Sequence, residues 1–351
     1  MPDEEHADGA GDSPGRGPHG VVAVTGGAGF VGRHLVRRLR SLGAVVRVVD
    51  LAAGAVTGVP GVEPVRADLR DFGATRAALR GAEVVFHLAG NASGTLSVEN
   101  PRLDFELNAL ATSNVGNAAL EVGVRRLVYL SSAVVYGRPC EFPISERHPT
   151  RPFLPYGASK LSGELVLRCL HDARGLPVVI GRSFVIYGPG EDPRRAGGEV
   201  SQFLRWHLNG RPIPVVGDVD RKTRDFIHVH DLVSALLRIA DRGEDGGVYN
   251  LGTGTETSMR RLAEEIGAVT GTPARLDADA GVVDDSFRLM ADIGRLSGLG
   301  FRPRITLADG VRSLGAALGS EPELPSVNAV FRVRPAGVPD AGGREMERAG
   351  T

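Results

Sequence analysis

At 351 residues the chain has room for about two domains of roughly 150 residues, or for one large α/β unit. Its 41 basic and 42 acidic residues leave a net charge of −1, which excludes a nucleic-acid binder held by a basic face. The only cysteines, Cys140 and Cys169, form no C-x-x-C pair, so neither a disulfide framework nor a structural zinc site is expected.

Residues 1–19 are acidic and rich in Gly and Pro, without an apolar h-region, and read as a disordered arm. No apolar run nears the ~20 residues needed to span a bilayer, so a soluble, cytoplasmic protein with no membrane partner is expected. VVAVTG (Val21–Gly26) is a buried-strand run. FVGRHLVRRLRSLG follows, with Val31, Leu35, Val36, Leu39 and Leu42 at helical spacing and Gly43 as its C-terminal stop. The strand AVVRVVD, the segment VEPVRADL, a short helix through Leu79 and the strand AEVVFHLAG come next. A long helix is expected from about Pro101 to Val122, then the strand RRLVYLSS, a helix over Tyr156–Ala173 and the strand LPVVIGRSFVIYG. Strand and helix alternate throughout, which calls for a doubly wound parallel sheet covered on both faces. Beyond Tyr187, Pro189, Pro193, Pro212 and Pro214 punctuate short elements, followed by the strand VYNLG and a helix near Met259–Thr270. These read as a smaller, non-contiguous lobe against the carboxyl edge of the sheet.

TGGAGFVG (Thr25–Gly32) lies between the first strand and the first helix. Its glycines Gly26, Gly29 and Gly32 allow a tight turn, close approach to a pyrophosphate and packing of helix on strand. The helix N-terminus then faces the phosphates with unpaired N–H groups and the positive end of its dipole. Asp50 ends the second strand, 18 residues beyond Gly32, where an acid holds the adenosine ribose hydroxyls. A carboxylate there repels a 2′-phosphate, so the expected cofactor is NAD rather than NADP. A turn cap after a strand is the plainer role for the same residue.

Tyr156-Gly-Ala-Ser-Lys160 opens a helix, and the four-residue spacing places both side chains on one face. Of the 41 basic residues only Lys160 and Lys222 are lysine. With five tyrosines and two lysines in the chain, chance supplies about 0.03 such pairs. An ammonium beside a phenol favours phenolate, so Tyr156 is expected to have a lowered pKa and to serve as general base toward a secondary alcohol.

With these residues in place the chain resembles an extended short-chain dehydrogenase/reductase, and within it the NAD-dependent nucleotide-sugar epimerase/dehydratase family typified by UDP-galactose 4-epimerase. The likeness runs from about Val21 to Leu314. It is carried in order by TGGAGFVG, ADLRD (Ala67–Asp71), HLAG (His87–Gly90), SVENPRLDFELN (Ser97–Asn108), SSAVVYG (Ser131–Gly137), PYGASK (Pro155–Lys160), RDFIHVHDL (Arg224–Leu232) and YNLG (Tyr249–Gly252). It implies a Rossmann-type fold and a role for each matching residue. Ser132 would join Tyr156 and Lys160 in catalysis by bonding the substrate oxygen, although a strand-end hydroxyl also caps its own backbone. The backbone of Phe30 and Val31 would meet the pyrophosphate, Asp68 and Leu69 would hold the adenine, and Leu88, Ala89 and Gly90 would pass beneath the cofactor. Phe184 would lie near the nicotinamide, and Arg224 would clamp the substrate diphosphate with its fixed cationic fork. Asn108 is expected to support helix packing.

Departures from the family pattern bear on the reaction. Family 4,6-dehydratases and decarboxylases place an acid at or near the position after the catalytic Ser/Thr, whereas Ala133-Val134-Val135 follows Ser132 here. Val185 stands where relatives carry Asn, and DADAGVVDDSFRLMAD is acidic where they carry a second phosphate-clamping Arg, leaving Arg275 and Arg288 as candidate substitutes. His228 and His230 flank Val229 in an expected strand and share a face, with no third ligand to complete a metal site.

The resulting expectation is NAD-dependent epimerisation of a nucleotide-linked sugar at C4. The alternatives are a net dehydrogenase or keto-reductase acting on a secondary alcohol, and a non-catalytic dinucleotide-binding sensor or scaffold. The expected division is an arm at 1–19, an NAD-binding domain at 20–187 to which 225–252 return, a substrate lobe at 188–224 and 253–320, and a flexible tail at 321–351. The resemblance also implies a homodimer, formed by the helix ending near Val122 and the Tyr156 helix.

Overall fold

The structure, a computed structural model, describes residues 20–193, 198–279 and 287–325; the expected arm and the tail beyond residue 325 lie outside the described residues. Along the chain come β1 (Val21–Thr25), α1 (Phe30–Ser41), β2 (Val45–Val49), β3 (Val62–Val65), α2 (Phe72–Leu79), β4 (Ala82–His87), α3 (Gly94–Glu99) and α4 (Pro101–Phe105). They are followed by α5 (Ala111–Val122), β5 (Arg126–Ser132), α6 (Pro155–Arg174), β6 (Val178–Ser183), β7 (Val185–Tyr187), α7 (Glu199–Leu208) and β8 (Ile213–Val216). The series ends with β9 (Thr223–Arg224), β10 (Phe226–His228), α8 (Val229–Arg242), β11 (Val248–Leu251), β12 (Thr257–Ser258), α9 (Met259–Thr270), β13 (Leu276–Asp279), α10 (Gly294–Gly298) and α11 (Leu307–Leu318).

Seven parallel strands form one sheet in the order β11-β6-β5-β4-β1-β2-β3. Its two faces bury separate clusters, as the alternation of side chains along a strand requires. Val22 and Val24 of β1 join Leu35 and Leu39 of α1 and Leu232, Leu236 and Ile239 of α8, while Ala23 joins Leu79, Val115, Ala119 and Leu167 on the other side. Each buried Leu of these clusters contributes about 1.5–3 kcal/mol by leaving water. The chain order reverses between β1 and β4, and that crevice is where a doubly wound sheet accepts a ligand.

Three local readings change. The expected helix from Pro101 to Val122 is continuous but includes a π-helical turn, Glu106–Leu110, between α4 and α5. LPVVIGRSFVIYG splits: β6 stays in the main sheet while β7 leaves it to pair with β10. The expected strand through His228 and His230 ends at His228, whose ring accepts the His230 N–H and caps α8. Val229, Leu232, Val233 and Leu236 carry the helical period there, and the short run Phe226–His228 hid the change of period. Away from the main sheet, α7, α9 and α11 enclose a further core of Phe203, Leu204, Met259, Leu262, Ile266, Val311 and Leu314.

Candidate active site

The glycine loop sits at the crevice. Gly26 has φ +70°, and a Cβ on it would stand 2.7 Å from the backbone nitrogen of Ala89. A Cβ on Gly32 would collide with the Gly26 carbonyl, so helix and loop could not close with any larger residue. The first turn of α1, which holds Phe30 and Val31, has no side-chain cap and no acidic residue. Its N–H groups are therefore suited to an anion from outside the chain. Leu88 and Ala89 hang on the end of β1 through Leu88 N–H to the Thr25 carbonyl (3.1 Å) and Ala89 N–H to the Thr25 hydroxyl (3.3 Å).

Asp50 stands against this loop. One carboxylate oxygen accepts from Ala28 N–H at 3.1 Å and the other from Ala52 N–H at 2.9 Å. The turn-capping role is thus present, and it also fixes the carboxylate at the rim of the cradle. Asp68 and Leu69 follow β3, and Asp68 is paired with Arg70 at 2.6 Å, which holds its carboxyl below the usual range.

On the other side of the crevice, α6 carries Tyr156 and Lys160, and β5 ends at Ser132. Pro155 at the first position of α6 presets the helical backbone, so both residues fall within its opening turns. Ser132 is register-paired with Ser183, which places Phe184 one residue beyond it. The Ser132 hydroxyl faces the phenol, and its oxygen also accepts from Val134 N–H at 3.3 Å. Lys160 is buried and donates to the Leu130 carbonyl at 3.0 Å, 5.1 Å from the centre of the Tyr129 ring.

The expected lowering of the Tyr156 pKa is corrected by this environment. Desolvation pushes the phenol up to about 12, with Ser132 pulling the other way and Asp104 adding to the rise. Burial likewise brings Lys160 down to about 8, against the pull of Asp104 and Glu164. Loss of hydration dominates both shifts, because each charged form would lie in a poorly solvated site.

Toward the lobe, Arg224 is buried, bonded to Glu199 at 3.1 Å and stacked over Phe287 at 5.0 Å. Arg288 pairs with Glu256 at 2.7 Å through two bonds and covers the Phe142 ring. Arg275 instead donates to the Gly210 carbonyl, on the β8–β13 side of the lobe. Phe184 packs among Ala133, Val135, Tyr136, Ile144 and Ala291, so its side chain belongs to a small core. The rings of His228 and His230 lie 4.9 Å apart, and among the described residues no group of three or more His, Cys, Asp or Glu could hold a metal.

Residues 22–252 match the model of the NAD dependent epimerase/dehydratase family. The chain belongs to this family. It is 35% identical over 298 residues to the UDP-glucose 4-epimerase of Mycolicibacterium smegmatis, a match covering 82% of this chain and 95% of that one. It is 33% identical over 296 residues to a putative UDP-glucose 4-epimerase of Methanocaldococcus jannaschii, with 83% and 96% covered. Among solved structures it is similar to the Thermus thermophilus UDP-glucose 4-epimerase complex with NAD, at TM-score 0.76 and 31% identity, covering 85% of this chain and 98% of that one.

The cofactor of this epimerase/dehydratase family is NAD, and the residues present fit it: a cradle that any Cβ would fill, an uncapped helix N-terminus and a fixed carboxylate at its rim. Motif reading missed the polar groups packed behind Tyr156 and Lys160. Ser131, Glu164 and Arg182 form one set, with Arg182 bound to Glu164 at 2.6 Å and Ser131 donating to the same carboxylate at 2.5 Å. Asp104, Asn91, Asn108 and Ser159 form another, through bonds of 2.6–3.0 Å. The one sequence signal was the four-residue spacing of Asp104 and Asn108 inside SVENPRLDFELN. His87 lies between the hydroxyls of Thr25 (2.7 Å) and Thr112 (2.9 Å), and burial holds it neutral by pulling its pKa down to about 3.

Proposed function

We propose that the chain epimerises a nucleotide-linked sugar, at C4. Bound NAD would supply a hydride acceptor that returns the same hydride. Tyr156 takes the proton of the C4 hydroxyl as that carbon becomes a ketone and gives it back after the sugar has turned. Ser132 bonds the same oxygen, and Lys160 holds charge beside the phenol. The supporting observation is that Ser132, at the carboxyl end of β5, bonds the phenol of Tyr156 on the helix that also carries Lys160, while Ala133-Val134-Val135 brings no carboxyl group for elimination. The relatives named as UDP-glucose 4-epimerases point the same way.

Residues 188–224 and 253–320 would form the substrate lobe, with Arg224 closest to a phosphate-binding role. The exposed side chains of Phe105, Leu110 and Leu165, on and around α4 and α6, would be covered by a second copy of the chain. Light scattering on purified protein checks this: a dimer is expected, and a monomer at micromolar concentration contradicts it.

A second reading, net oxidation or reduction of a less charged alcohol, is favoured by the pairing of Arg224 and Arg288 with acids. NMR of purified protein mixed with nucleotide sugars and no added cofactor separates the two. Appearance of the C4 epimer supports the first reading, whereas turnover that needs added NAD and yields equal NADH supports the second.

A further inference from the structure

Asp104 belongs to a short helix away from the glycine loop, yet it is fully buried and oriented toward the helix that carries the catalytic pair. One carboxylate oxygen accepts from the Asn91 amide at 2.6 Å and from the Asn108 amide at 3.0 Å, and the other accepts from the Ser159 hydroxyl at 2.6 Å. Ser159 precedes Lys160, and its hydroxyl also lies 3.0 Å from the carbonyl of Tyr156. Three uncharged donors thus hold this carboxyl group, with no cation among them. The π-helical turn after α4 carries Asn108, whose amide reaches both Asp104 and Ser159. π turns often mark functional positions.

We propose that Asp104 is a positioning residue for the reaction, fixing the first turns of α6 through Ser159 and supplying the buried negative charge that keeps Lys160 protonated. This rests on the epimerase reading for its role in turnover, but not for its electrostatics. A buried amine sheds its proton unless an opposite charge is near, and here the amine donates to an uncharged acceptor, the Leu130 carbonyl. The charged and titratable groups around it are Tyr156 and Glu164 on its own helix, Tyr129 on β5, His87 on β4, and Asp104. Glu164 is already shared between Arg182 on β6 and Ser131, so its charge is largely answered. His87 is neutral, and burial pushes Tyr129 far above the ordinary tyrosine range. Asp104 is then the one carboxylate of this group without a cationic partner, and it is the leading influence opposing the loss of the lysine proton.

The chain makes a direct test possible, because Lys160 and Lys222 are its only lysines. Full-length protein with its bound cofactor, labelled with 13C at the lysine ε-carbon, gives two resonances, assigned by Lys160→Arg. Asp104→Asn is close in shape: its oxygen can face Asn91 and Asn108 while its NH2 faces the Ser159 oxygen. The expected result is a fall of the Lys160 midpoint by about one pH unit or more, a tenfold loss of proton affinity. Ser159→Ala keeps the carboxylate, and its midpoint is expected within about 0.3 units of wild type while turnover falls. A Lys160 midpoint in Asp104→Asn that matches wild type overturns the proposal. If Asp104→Asn does not fold, Asp104→Ser reads the same quantity with the same two outcomes. The titration needs no substrate, so it answers even if no nucleotide sugar is turned over, and that failure would count against the epimerase reading alone.

Discussion

The two halves of the cleft are prepared for anions in different ways. At the glycine loop the chain offers the backbone N–H groups of the first turn of α1, with no side-chain cap and no acid in that turn to compete with a pyrophosphate. In the lobe the cations are present but already answered: Arg224 by Glu199 and Arg288 by Glu256. A substrate phosphate must therefore compete with a carboxylate before it gains an arginine. The contrast teaches that the cofactor cradle is built into backbone geometry, whereas under the proposed function substrate selection would rest on ion pairs that a few substitutions can retune.

Four substitutions probe this contrast, starting with the largest effect. Tyr156→Phe removes the proposed proton acceptor while leaving the cradle intact, and turnover is expected to fall about 10²–10⁴-fold. NAD released on denaturation should remain stoichiometric with protein. Asp50→Asn removes the charge at the rim of the cradle; loss of a charge-assisted bond to the ribose costs about 1.5–3 kcal/mol, or roughly 10–100-fold in NAD affinity by calorimetry. An unchanged affinity would leave Asp50 as a turn cap only.

In the lobe, Glu199→Gln removes the 3.1 Å carboxylate bond to Arg224, and UDP binding is expected to tighten about tenfold at low salt, with the gain shrinking as salt screens it. The same variant should unfold at a lower temperature, because it weakens the ion pairing of a buried guanidinium. If UDP binds no better, Arg224 does not meet the phosphates.

The last effect is a pH dependence of stability. Lys160 is held at about 8 in the folded chain, below its ordinary 10.5, so between these values the unfolded chain binds the extra proton. Folding stability from this residue therefore rises with pH across that window, by up to about 1.4 kcal/mol per pH unit. Lys160→Met lacks the rise. Urea unfolding of both proteins at pH 7.5 and 9.5 should show wild type gaining on the variant, and parallel curves would contradict the burial argument.

The cofactor half was legible in the sequence because its demands fall on backbone geometry. Only glycine satisfies Gly26 and Gly32, and a strand, a turn and a helix fix where they sit. The parallel sheet was legible for a similar reason, since strands buried on both faces read as apolar runs. What escaped depends on contacts between distant segments. The pull of burial on Tyr156 and Lys160 needs the surrounding walls, and the Glu199–Arg224 pair joins α7 to β9 across 25 positions. The helix starting at Val229 was misread because three strand residues run into it without a turn residue. Asp104 carried no signal of its own in the sequence, because its donors come from three separate segments.

The central claim, that one hydride leaves C4 and returns to it within a single bound cofactor, is tested most directly with a nucleotide sugar deuterated at C4. The account predicts a C4 epimer that keeps its deuterium at C4, with no label in solvent or in free cofactor. Deuterium appearing in free NADH would show net oxidation, and deuterium at C6 would show dehydration; either result contradicts the account.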